Sequence, residues 1–255
     1  MKKQALAIAA LSLLSVSAYA AEAKSDWTIT GNAGLFSDYR FRGFTQTAYK
    51  PAFQGGFDLA HSSGFYAGNW NSTVEQSLYR GASLEMDFYG GYKYNAGAVA
   101  IDVGAMYYYY PSSDHNYNNT AGKQVHQDEL YIGASYSYFT VKLSYALSNY
   151  FGAGDGTSTD TKGNYYLDLG FAYDLGQGYG LNAHYGYQKV PNAKDLGFVA
   201  NSVSDYKIGL TKDFSGWVAG ASLVGTSKKE FAVTGVNTDR AAGKTGLVLS
   251  LSKSF

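Results

Sequence analysis

The patterning of this chain predicts an all-β protein, a transmembrane antiparallel up-and-down barrel of about twelve strands. Three observations predict it. Segment after segment alternates apolar and polar residues, the connections between segments are short and long in turn, and aromatic residues gather at segment ends. A period of two gives a strand one apolar and one polar face. Alternating connection lengths suit an outer-membrane barrel, whose strands of about 9–11 residues are joined by short periplasmic turns and longer outer loops.

The expected strands lie at 27–41, 52–61, 64–74, 82–94, 98–110, 127–138, 139–149, 163–174, 178–189, 202–213, 216–227 and 244–255. In the fourth, Leu84, Met86 and Phe88 oppose Glu85, Asp87 and Tyr89. Val99, Ile101 and Val103 likewise oppose Ala100, Asp102 and Gly104, and Leu167, Leu169 and Phe171 oppose Tyr166, Asp168 and Gly170. The short joints are "HSSG", "YNAG", "SYFT", "DLGQG" and "DFSG". The long ones fall at 42–51, 75–81, 111–126, 150–162, 190–201 and 228–243, and hold polar stretches such as "GAGDGTSTDTKG". Trp27, Tyr94, Tyr107, Tyr109, Tyr138, Tyr173, Tyr179 and Trp217 sit at strand ends, where interfacial girdles belong. A soluble sandwich shares the alternation, but not an even strand count with every short turn at one end.

Composition agrees with an exported chain. Residues 1–20 combine a basic start, a short apolar run and an A-x-A site at Ala18–Ala20, the pattern of a signal peptide cleaved after Ala20. One barrel domain over 21–255 follows. Without Lys2 and Lys3 that domain has two more acidic than basic residues, so no nucleic-acid footprint is expected. Gly at 31 residues is well above the usual share of about 7%. Cys is absent, so no disulfide holds the fold. The last strand, "GLVLSLSKSF", is apolar at alternate positions and ends on Phe255. It resembles the C-terminal signal by which the outer-membrane assembly machinery recognises barrels, which makes Phe255 the assembly candidate. The expected location is the outer membrane, in contact with its lipid, with both termini in the periplasm.

Three stretches carry a further likeness: "SDYRFRGFTQT", "PAFQGGFDLAHSSGFYAGNW" and "SLEMDFYGGY". Together they resemble the TorF-type family of proteobacterial porin-like proteins, conserved outer-membrane proteins of unknown function. The motifs cover residues 27–94; beyond them the match is in strand rhythm and Phe255. The resemblance implies an outer-membrane protein with an inferred porin role, and it brings no substrate.

The first stretch places Arg40 and Arg42 on either side of Phe41. With Leu35, Tyr39 and Phe41 towards lipid, Asp38, Arg40 and Arg42 face the lumen near the outer end of strand one. The same parity puts Asp58, Glu85, Asp87, Lys93, Asp102, Glu129, Lys142, Asp168, His184, Asp205 and Lys207 inside. An Arg or Lys facing lipid near mid-bilayer would cost about 2–4 kcal/mol, so only the lumen suits them. There they either set a transverse field across a channel for small hydrophilic solutes or form salt bridges that plug a closed barrel. Barrels of about eight strands are filled by side chains and those of about 16–18 are open, and twelve lies between. Inward glycines such as Gly91, Gly104, Gly133 and Gly186 leave volume, which favours a passive channel. The alternatives are a non-conducting barrel with a structural or loop-mediated binding role and, at lower weight, a hydrolase. No cofactor, metal or catalytic residue is expected. The histidines His61, His115, His126 and His184 lack a nucleophile motif. Asp114, His115, His126 and Asp128 fit a solvated loop better than a metal site, and "GAGDGTSTD" is a weak single-copy likeness to a calcium loop.

Overall fold

In the computed structural model the described residues are 25–113, 125–231 and 241–255. The leader expected over 1–20, and Asp114 and His115, lie outside them. Among these described residues fourteen strands follow in chain order. The first four are β1 (Trp27–Phe36), β2 (Arg40–Phe41), β3 (Phe44–Thr45) and β4 (Ala52–His61). Next come β5 (Phe65–Thr73), β6 (Leu84–Ala96), β7 (Val99–Tyr109), β8 (His126–Tyr136) and β9 (Phe139–Ala146). The last are β10 (Tyr165–Gly176), β11 (Tyr179–Lys189), β12 (Ser202–Phe214), β13 (Trp217–Thr226) and β14 (Gly246–Ser254). All but β2 and β3 form one closed antiparallel barrel of twelve strands, sealed where β1 pairs with β14. The expected fold class and strand count hold.

Local chemistry explains the joints. Gln177–Gly178 and Ser215–Gly216 have positive φ at both positions, the geometry of the two-residue hairpin turn that matches strand twist. Those turns, with the joints after β4, β6 and β8, gather at the end of the barrel that also holds Trp27 and Phe255. The described parts of the long connections lie at the other end. On the outer wall Ile29 is 74% exposed and Leu247 64%, amid a continuous belt that includes Phe57, Phe65, Ile132, Ile208 and Leu249. Apolar exposure on this scale is unfavourable in water and is what a lipid-facing wall requires.

The inner wall departs from expectation in one respect. Inward tyrosines lie across neighbouring glycines. A Cβ added to Gly104 would sit 2.5 Å from the Tyr131 Oη, and one added to Gly68 would sit 2.5 Å from the Tyr89 ring. The ring of Tyr66 covers Gly91, and that of Tyr166 covers Gly186, in the same way. These glycines do not leave the lumen unfilled. They give the backbone the close approach that a tyrosine lying flat on the wall needs.

The first expected strand is also shorter than 27–41. It ends at Phe36, and residues 37–51 turn into the barrel. The short β2–β3 hairpin turns at Arg42 and Gly43, both at positive φ, and Ala48 and Tyr49 are also in the left-handed region. Tyr39 and Phe41 therefore face the interior, not lipid. Tyr39 packs on Trp70, and Phe41 packs edge-on against Tyr108 and Phe151. Arg40 and Arg42 are inside, but on this in-folded segment and not on the wall. Lipid and a packed aromatic core are both apolar, so alternation alone does not distinguish them.

Candidate functional site: a charged lumen beneath an in-folded segment

The in-folded segment is locked by side chains from four strands. Arg42 makes two bonds to Glu129, Nη2 to Oε1 at 2.7 Å and to Oε2 at 2.9 Å. Its Nη1 donates to Gln188 Oε1 at 2.5 Å, and its guanidinium lies 4.3 Å from the Tyr166 ring centroid. Glu129 also accepts from Gln127 Nε2 at 2.5 Å and Tyr108 Oη at 3.3 Å. Both partners are nearly water-free, with side chains 6% and 3% exposed. With one guanidinium nitrogen shared between both carboxylate oxygens and the other bonded to Gln188, the contact fixes geometry as well as charge.

Arg40 bonds within the segment and to the chain just before β14. It is bonded to Asp38 and donates to the carbonyls of Gly43 and Lys244, each at 3.0 Å. Asp38 also accepts from the hydroxyls of Thr45 (2.5 Å) and Thr47 (3.0 Å). Tyr39 donates to Glu85 Oε1 at 2.8 Å. Burial, with Glu85 beside it, pushes the Tyr39 phenol well above its ordinary range, so it stays a donor. Asp87, two residues along β6 from Glu85, is buried, and its Oδ1 has no partner among the described residues.

Around these polar locks the long-loop end is packed. Tyr79 stacks on Tyr110 at 4.2 Å, within a cluster that includes Val74, Ala82 and Val125. A second cluster joins Phe44 and Phe231 to Val190, Ala193 and Val203. "GAGDGTSTD" contributes to this end as a folded loop. Asp155 accepts from Asn149 Nδ2 at 2.6 Å, and Thr161 bonds the Ala153 carbonyl at 2.8 Å, so Asp155 already has a protein partner.

Towards the short-turn end the lumen is polar. Asp58 accepts from Tyr89 Oη, and Asp102 from Tyr66 Oη, both at 2.6 Å. Lys93 lies 4.7 Å from the Tyr66 ring, and Lys142 4.0 Å from that of Tyr131. His184 is held between two acids, Nδ1 with Asp168 at 2.8 Å and Nε2 with Asp205 at 2.7 Å. Tyr166 also donates to Asp205, at 2.9 Å. Lys207 is directly across from His184 in the β11–β12 register. The charges picked out by parity thus fall into an outer cluster around Glu129 and an inner ladder ending at Lys207. Parity put the tyrosines on the same face but did not single them out as the groups that hold these charges. A signal was present, because Tyr89, Tyr131 and Tyr166 share the parity of the charges and stand beside inward glycines.

Beneath the in-folded segment a cavity of about 370 Å³ runs along β1 and β10–β14. Arg40, Asp38 and Trp70 line one end, Thr211 and Ser254 the other. Both ring nitrogens of His184 face carboxylates, so the ring has no free nitrogen to serve as a base for a serine. His61 Nδ1 is 2.6 Å from Ser63 Oγ in an exposed turn. Among the described residues no group of three or more His, Cys, Asp or Glu could hold a metal ion.

Known proteins share the architecture. The chain is similar to the solved KdgM porin in complex with disordered oligogalacturonate, at 11% identity and a TM-score of 0.53 over 89% of this chain and 98% of that one. It is similar to the NanC porin at 9% identity and a TM-score of 0.54, over 89% and 99%. At these identities the likeness is one of fold. No curated protein sequence matches the chain significantly. A family model described as a bacterial protein of unknown function (Gcw_chp) matches residues 20–255, over the whole barrel, and the chain belongs to that family.

Proposed function

We propose that this protein is an outer-membrane channel for small hydrophilic solutes, closed at rest in its outer half by residues 37–51. One observation carries this reading. The lumen is blocked by a separable segment lodged in it, while the wall behind that segment is lined with ordered polar and charged groups. A barrel that served only as a scaffold would be filled by its own inward side chains, as small barrels are. The porin likeness in fold and the TorF-type resemblance of residues 27–94 point the same way, and the similar KdgM porin was solved in complex with oligogalacturonate. A second reading, a non-conducting barrel whose outer loops bind a partner, is favoured by the two aromatic clusters that fill the long-loop end.

The experiment is conductance of the refolded protein in a planar bilayer. Infrequent, brief openings are expected from the intact chain, with the wall acids Glu85, Asp87 and Glu129 favouring cations once the segment moves. A permanently silent barrel supports the second reading.

Orientation is part of the proposal and has its own test. Long loops outside and short turns inside put both chain ends in the periplasm. The chain has no cysteine, so single cysteines report without background. A cysteine at exposed Thr157 is expected to react on intact cells with a membrane-impermeant thiol reagent, and cysteines at Ser62 or Gln177 only after the outer membrane is opened. The reverse pattern inverts the topology.

A further inference from the structure

We propose that the cavity beneath the in-folded segment binds a small hydroxylated carboxylate, with Lys207 as its counter-charge. This deepens the channel reading and rests on it. The lining charges are the first reason. Among the described residues the cavity is lined by Arg40, Lys207 and Lys253 and by one carboxylate, Asp38, which is already bonded to Arg40. The lumen as a whole is rich in acids, but this part of it is basic.

Lys207 is the second reason. No hydrogen bond, ion pair or ring contact engages it among the described residues. The acids near it are taken, because Asp168 and Asp205 both hold His184 and Asp205 also accepts from Tyr166. A cation in a confined lumen, without a protein partner, is a site for an arriving anion.

The third reason comes from the neighbouring strand. Asn182 pairs in register with Gly209, two residues along β12 from Lys207, and its buried Oδ1 has no partner. Asn182 also lines the cavity, so a turn of its amide towards the cavity gives that oxygen a ligand O–H to accept from, beside the cationic donor. The facing wall is short and hydroxylic, with Ser222, Ser250 and Ser252 on β13 and β14 and Asn32 on β1. A carboxylate carrying hydroxyl groups satisfies all three surfaces. A bare inorganic anion offers nothing to Asn182, and a neutral polyol offers nothing to Lys207. One charged contact among several hydroxyl contacts also gives the modest affinity that a transport site needs, enough to admit the solute and not enough to retain it.

Binding tests this without passage. The full-length refolded protein in detergent is titrated calorimetrically with gluconate, with sorbitol as the uncharged polyol and sodium chloride as the bare anion. Trp70 on the cavity roof supplies a fluorescence signal. Gluconate is expected to bind saturably, about tenfold or more weaker in Lys207→Gln, as loss of a charged hydrogen bond implies. Lys207→Arg retains binding, and so does Lys93→Met, whose lysine lies over Tyr66 on the other side of the lumen. Heat-modifiable gel migration verifies that each variant is folded. Gluconate binding that is absent, that persists undiminished in Lys207→Gln, or that is matched by sorbitol or chloride overturns the proposal. A barrel that binds gluconate and never conducts defeats the channel reading alone; one that conducts without binding defeats this inference alone.

Discussion

Arg42→Ser is expected to lower the stability of the folded barrel by about 3–5 kcal/mol, the usual cost of removing one partner from a buried ion pair. Glu129 would keep Gln127 and Tyr108 as donors but lose both bonds from the guanidinium, at a position where its side chain is only 3% exposed. The variant also gives up the bond to Gln188 and the stacking on Tyr166. Urea unfolding in lipid vesicles, with heat-modifiable migration as a second readout, measures the loss. Arg42→Ser combined with Glu129→Gln is expected to recover part of it, because the stranded charge is gone. The double-mutant cycle then isolates the pair. Equal stability of Arg42→Ser and the parent, together with a changed ion preference, would mean that Arg42 faces open water in the membrane and acts on passing ions.

Much of this barrel is legible from side-chain parity, and particular residues show why. On β6, Glu85 and Asp87 alternate with Met86 and Phe88, and one buried and one lipid-exposed face leave no other arrangement. Turns such as Gln177–Gly178 are legible because their conformation demands glycine. What parity does not reveal is the third apolar environment. Tyr39 and Phe41 continue the alternation of β1, so they read as two more lipid-facing residues, yet they pack on Trp70, Tyr108 and Phe151 inside the lumen. The clue was Gly43 directly after Arg42, in a segment with no apolar residue between Phe44 and the alanine at 48. The charged site was half legible for the same reason. Its members could be named from parity, but their partners come from strands far apart in the chain. Arg42 meets Glu129 from β8 and Gln188 from β11, and no spacing rule connects those three positions.

Excising the in-folded segment is expected to turn a mostly silent barrel into a steadily conducting one. The design follows from the register. Phe36 and Ala52 are directly paired across β1 and β4, so residues 37–51 can be replaced by a two-residue Asn-Gly turn without moving either strand. The barrel keeps all twelve strands and its β1–β14 closure, and heat-modifiable migration is expected to persist. Inside, Phe41 no longer fills the space between Tyr108 and Phe151, and Phe44 no longer meets Phe231. Glu85 loses Tyr39 and Glu129 loses Arg42 as a partner, and with Asp87 they line a wetted passage whose low-dielectric wall focuses their field. Conductance is therefore expected to rise several-fold over the parent, with a preference for cations that falls as salt screens the acids. Reversal potentials under a salt gradient read that preference directly. A folded variant that stays silent would place closure in the outer loops themselves, around Tyr79, Tyr110 and Val190, and would make this a barrel that presents its loops and passes nothing.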